Sequence, residues 1–159
     1  MNSRLLPSKR VGLSSVSISQ SLNHSIPYQM KTSESFEDLV CWQKAYQFKQ
    51  RIRLEVMPQL PPKEQFELKF QIMRAARSAT ANVAEGWGRF HFLDSSRFYY
   101  NSRGSLAEII DHFIEAKDKG YSSVDLYEGL KSQVLESIKV LNGFIFYLKR
   151  EHLKTNAKN

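Results

Sequence analysis

The sequence predicts an all-α protein folded as an antiparallel up-down-up-down four-helix bundle over residues 36–150. Three observations lead there. Apolar residues recur every three or four positions and never in strand-like alternation. Clusters of Pro, Gly and Ser cut this region into four segments of comparable length. The connections between them are about four to seven residues, short enough to force neighbouring helices to run in opposite directions.

The first helix is predicted to open at Ser35, whose hydroxyl caps free amides while Asp38 reaches back in a capping box. Its core stripe is Cys41, Ala45, Phe48, Ile52 and Val56, flanked by Leu39, Trp42 and Tyr46, and Pro58, Pro61 and Pro62 end it. The second helix is expected to start near Pro62, which a first turn tolerates because its amide would be unpaired there. Phe66, Phe70, Met73, Ala76, Thr80, Val83 and Trp87 mark its buried face, broadened by Leu68, Ile72, Ala75 and Ala79. Gly86 and Gly88 read as its stop, one of them in the left-handed conformation.

Asp94 is the expected cap of the third helix, with Phe98, Ser102, Leu106, Ile109, Phe113 and Ala116 as core and Lys117 to Gly120 as its close. Ser122 with Asp125 is the expected cap of the fourth. Leu126, Leu130, Val134, Ile138, Leu141, Ile145 and Leu148 form its stripe. Four rods of about 20 to 28 residues, near 30 to 40 Å each, pack side by side.

The chain has 159 residues, 42% of them hydrophobic, which suits one domain with one core. Residues 1–35 carry ten serines and no acid before Glu34, and read as a disordered basic leader. Ser14, Ser15, Ser17 and Ser19 interrupt the apolar run of about 7–15 residues that a secretory signal needs, although the composition superficially matches a transit peptide. Met30 offers an alternative start that would make residues 1–29 an artefact. Residues 151–159 read as a basic C-terminal tail. Cys41, the sole cysteine, leaves no intrachain disulfide and no Cys-rich zinc site, and is expected as a small core hydrophobe. No window approaches the eighteen or so apolar residues of a membrane span, so no membrane partner is expected.

The formal net charge is +7, unevenly placed. Residues 44–103 hold eleven Lys/Arg against five Asp/Glu, a net of +6, and residues 104–148 hold four against seven, a net of −3. An excess of this kind favours an acidic partner such as nucleic acid. Lys44, Lys49, Arg51, Arg53, Arg74, Arg77, Arg89, Arg97 and Arg103 are the candidate phosphate contacts. Of these Arg74, Arg77, Arg89, Arg97 and Arg103 flank the turn between the second and third helices and are expected to gather in one patch. Guanidinium groups suit phosphate through paired hydrogen bonds, and Trp87, Phe90, Phe92 and Tyr99 are placed to stack on unpaired bases.

No catalytic constellation is visible. His24, His91, His112 and His152 sit in unrelated contexts, and Glu108, His112 and Glu115 share a helix face without the paired Glu-x-x-His motifs of bundle metal sites. No enzyme activity, metal or cofactor is expected. The second helix does carry a polar stripe, Glu67, Gln71, Arg74, Ser78, Asn82, Glu85 and Arg89, amid Ala75, Ala76, Ala79 and Ala81. Small residues let another helix approach, so ion pairing between helices or subunits is a physical use for it.

Phe36-Glu37-Asp38-Leu39 with Trp42-Gln43-Lys44-Ala45, then Gln71-Ile72-Met73-Arg74-Ala75-Ala76 with Ser78, Asn82 and Ala84-Glu85-Gly86, then Gly104-Ser105-Leu106-Ala107-Glu108, resemble the four-helix bundle proteins encoded in 23S rRNA intervening sequences. The resemblance implies a bacterial, cytoplasmic protein that assembles as a ring-like homopentamer. It also implies similarity in fold to the accessory protein of diversity-generating retroelements, which binds nucleic acid and a reverse transcriptase. By position, Arg74, Ser78, Asn82, Glu85, Gly104 and Glu108 match the family pattern and are expected to serve fold and assembly. Thr80 stands where many relatives have proline. The expected function is therefore a non-enzymatic, oligomeric, basic RNA-associated bundle. Its partners would be other copies of itself, RNA or another nucleic acid, and a reverse transcriptase or ribosome-associated protein. The alternative is a structural module that self-associates or docks a protein without nucleic acid.

Overall fold

The computed structural model describes residues 33–89 and 91–157. Residues 1–32 of the leader, Met30 among them, and the stacking assigned to Phe90 lie outside the described residues. Among those described there are four α-helices and no strand: α1 Val40–Arg51, α2 Leu68–Gly88, α3 Phe92–Asp118 and α4 Val124–Asn156. A single π-helical turn, Ile52–Val56, prolongs α1 and is closed by the Met57 amide donating to the Ile52 carbonyl at 3.0 Å.

Contacts between neighbours run in opposite chain order. Ser78 meets Ser105 while Gly86 meets Tyr99 across α2 and α3. Tyr99 meets Phe144 while Phe92 meets His152 across α3 and α4. Lys44 meets Glu136 while Arg51 meets Gly129 and Gln133 across α1 and α4. Each helix therefore packs antiparallel to the next around one core, and α1 closes the circuit against α2 and α4. Phe48, Ile52, Ile72, Val83, Ile109, Phe113, Leu130, Val134 and Leu141 are fully enclosed there. Burying each contributes about 1.5–3 kcal/mol.

Several local expectations shift. The Ser35–Asp38 capping box forms, but it caps a short 3-10 turn, Phe36–Asp38, and α1 starts only after it. Pro62 opens another 3-10 turn, Pro62–Glu64, and α2 begins six residues later. His91 rather than Asp94 precedes α3, and Ser123 rather than Ser122 caps α4 by accepting the Leu126 amide at 3.2 Å. Helix α4 continues to Asn156, so residues 151–156 are helical and not a separate tail.

The buried face of α2 is centred on Leu68, Ile72, Ala75, Ala76, Ala79, Thr80, Val83 and Gly86. Phe66 and Phe70, expected in the core, are 88% and 52% exposed. Phe66 precedes the helix, and Phe70 borders a cleft with Met57, Met73 and Arg77, whereas α3 comes close enough at Ala79 for Ser102 to reach its carbonyl. Gly86 is accordingly no helix stop. It is buried in the last turn of α2, where a Cβ would fall 2.8 Å from the Tyr99 ring and 3.1 Å from the Ser95 carbonyl. Among the described glycines only Gly120 has a positive φ, 72°, and it turns the chain out of α3. Tyr99, which the periodicity did not place in the core, is 1% exposed beneath Gly86.

The other end of the bundle is tied by Glu64, a buried carboxylate in the Pro62–Glu64 turn. It accepts from the Tyr121 hydroxyl at 3.1 Å and lies 3.4 Å from the Lys119 ammonium, both in the α3–α4 connection. Burial pushes its pKa up, but Tyr121, Lys119 and the Leu68 amide outweigh burial and hold it below the usual carboxylate value. One side chain thus joins the start of α2 to the α3–α4 turn.

Two outcomes are expected. Gly86→Ala should destabilise by about 1–3 kcal/mol through overpacking. Gly104→Ala, where an added Cβ meets nothing within 4 Å, should stabilise by roughly 0.5–1 kcal/mol from helix propensity. Urea unfolding of the two variants checks the contrast. Because Glu64 has a depressed folded pKa, its contribution is complete above the unfolded value of about 4.3 and is lost as pH falls through the folded value. Glu64→Gln should lower stability at pH 7 and flatten the decline in acid, as followed by thermal melting from pH 7 to 3.

Candidate nucleic-acid interface

The α2–α3 seam absorbs most of the polar stripe. Asn82 donates to the Ser78 carbonyl at 2.9 Å and to its hydroxyl at 3.1 Å. Ser78 and Ser105 share a hydrogen bond of 2.8 Å, and Ser105 donates to the Asn101 carbonyl at 3.1 Å. The donors therefore run in one direction, from Asn82 through Ser78 and Ser105 to Asn101. Below this, Arg74 takes the Gln71 side chain at 2.8 Å and pairs with Glu108. Glu108 also lies 3.7 Å from His112. Ser102, fully buried, donates to the Ala79 carbonyl at 2.7 Å.

Arg74, Ser78, Asn82 and Glu108 are thus joined within one subunit. Glu85 pairs with Arg89 one turn along α2. Gly104 stands apart on the exposed side of α3. The Glu108, His112 and Glu115 face does not form a metal cluster, and no group of three or more metal-ligating side chains occurs among the described residues.

This placement divides the nine candidate cations. Lys44 pairs with Glu136 on α4 at 2.7 Å. Arg51 is held by Glu55, Gln133 and the Gly129 carbonyl. Lys49 donates to Thr80 Oγ1 at 3.2 Å and lies over the Tyr46 ring at 4.7 Å. Burial, and next the charge of Arg77, lowers the Lys49 pKa, so these two cations are neighbours on the α1–α2 side. Arg53 is exposed on the π-helical turn.

The expected single patch does not form. Arg74 serves the seam, and Arg77 lies about 18 Å along the axis of α2 from Arg89. What forms instead is two separate groups of cation–ring contacts, on opposite flanks of α3. Arg89 and Arg97 lie over the Phe98 ring, at 5.0 and 5.8 Å from its centroid. Arg103 lies over Tyr100 at 5.8 Å, and Tyr100 is 49% exposed. Arg97 and Arg103 make no ion pair among the described residues, so their guanidinium edges face outward with donors to offer.

Of the expected stacking aromatics, Tyr99 is in the core, Phe92 is face-stacked on His152 at 4.8 Å, and Trp87 is partly exposed. Tyr100, which the sequence reading did not name, is an exposed α3 ring with Arg103 over it. Its signal is the spacing Arg97, Tyr100, Arg103, three residues apart on one helix face.

A family model described as 23S rRNA-intervening sequence protein matches residues 37–143, more than half of the chain. Among curated proteins, none matches.

The Arg74–Glu108 pair is about half exposed. A double-mutant cycle over Arg74→Ala and Glu108→Ala should give a coupling of only about 0.2–1 kcal/mol, measured by denaturant unfolding.

Proposed function

Because the chain belongs to the 23S rRNA-intervening sequence protein family, we propose that it is a non-enzymatic, oligomeric helical-bundle protein that associates with RNA in a bacterial cytoplasm. The observation that carries this reading is the pair of exposed arginines on α3, Arg97 over Phe98 and Arg103 over Tyr100, neither of which makes an ion pair among the described residues. Guanidinium forks match phosphate oxygens, and an exposed ring offers an unpaired base a stacking face. The net charge of +7 supplies long-range attraction of the right sign.

A second reading, docking of protein without nucleic acid, is favoured by one observation. Phe66 and Phe70 are largely exposed, beside a cleft lined by Met57, Met73, Lys69 and Arg77 between α1 and α2. Exposed aromatic surface of this kind suits association with another protein surface, including further copies of the chain. It is also the surface on which a homo-oligomer, a pentamer by family resemblance, would close.

Single-stranded RNA binding should weaken with salt at a logarithmic slope of about 0.7 per phosphate neutralised. Arg97→Glu combined with Arg103→Glu should lower affinity by about tenfold or more and reduce that slope, while the mass by light scattering stays the same. Affinity that ignores salt and both substitutions, or no binding below about 100 μM in low salt, would leave only the protein-docking reading.

A further inference from the structure

At the end of the bundle where α2 gives way to α3, the last turns of α4 complete a cleft of about 540 Å³. Its size falls within the range of about 300–1,000 Å³ typical of small-ligand pockets and is too small for a duplex. The walls are of two kinds. Trp87 and Phe92 supply aromatic surface, and Phe92 is held in place by His152 stacked on it at 4.8 Å and 22°. Arg89 stands in the lining with its guanidinium over the Phe98 ring.

The acid in the lining, Glu151, is already matched by Lys154 at 2.9 Å and Arg150 at 3.5 Å. Among the lining residues Arg89 is the one cation and Glu151 the one acid, and Arg89 pairs with Glu85 through a single guanidinium nitrogen. A planar apolar wall beside a guanidinium with further donors is complementary to a flat ring bearing a phosphate. We infer that this cleft binds one nucleoside monophosphate unit, its base against Trp87 and Phe92 and its phosphate toward Arg89.

Two sources share that chemistry, a free mononucleotide and the unpaired end of an RNA strand. The strand source rests on the RNA reading above; the free-nucleotide source does not. The test is calorimetric titration of the full chain with adenosine and uridine 5′-monophosphate, and with inorganic phosphate alone. Thr155 is an exposed residue of the lining on α4, so Thr155→Trp blocks the cleft without touching the core. His152→Ala removes the support of Phe92 and serves as an independent variant, with melting curves confirming that both fold.

Mononucleotide binding with a Kd below about 1 mM, weakened about tenfold or more by Thr155→Trp and not reproduced by phosphate alone, is the expected result. No heat at about 5 mM nucleotide, or equal binding by both folded variants, overturns the inference. A 5′-phosphorylated single-stranded RNA decamer then separates the sources. If Thr155→Trp weakens it too, strand ends occupy the cleft; if only mononucleotide binding falls, the free nucleotide is the ligand. Charge reversal at Arg97 and Arg103 that leaves longer RNA unaffected refutes the RNA reading while the mononucleotide titration stands on its own.

Discussion

The close approach of α2 and α3 is the constraint from which most other features follow. Two helix backbones meet there through Ala75, Ala79, Gly86, Ser78, Ser102 and Ser105, residues small enough to let Ser102 reach the Ala79 carbonyl of the other helix. Seating Tyr99 beneath Gly86 then locks the turn end of the hairpin. Small residues give up apolar area, and the seam compensates with hydrogen bonds that leave its buried hydroxyls partnered, as a low-dielectric interior requires.

That seam decides the fate of the charges. Part of the basic first half of the sequence meets the acidic second half across the bundle: Lys44 pairs with Glu136, and Arg74 with Glu108. Some of the charge asymmetry is therefore used between helices. The cations left over are not spread evenly. Arg97 and Arg103 sit beside rings on α3 without an ion pair among the described residues, whereas Arg89 is paired with Glu85. Whether a given arginine is structural or available depends on what stands opposite it, and for Arg74 and Arg97 the answers differ although both lie on exposed helix surface.

The two ends of the bundle differ in kind. At one, Glu64 gathers Tyr121, Lys119 and the start of α2 around a single carboxylate and leaves little room for a ligand. At the other, the tight α2–α3 turn and the overlong α4 enclose an aromatic cleft beside Arg89.

Much of this was readable from residue order alone. Four helical segments, the whole core stripe of α1, the capping box at Ser35 and the Gly120 turn depend on local spacing and local backbone sterics, which a linear pattern contains. The caps of α3 and α4 moved by three residues and one, to His91 and Ser123, and α1 and α2 start only after short 3-10 turns. What spacing could not decide was which part of the one wide apolar face of α2 turns inward. Phe66, Phe70 and Trp87 carry more apolar area than Ala75, Ala79 and Gly86, yet the small residues are buried. The choice belongs to a partner helix some 25 residues away along the chain, whose closeness rewards absence of bulk. The same nonlocal pairing placed Tyr99 in the core, turned Arg74 toward Glu108, and left Arg97 and Arg103 facing outward.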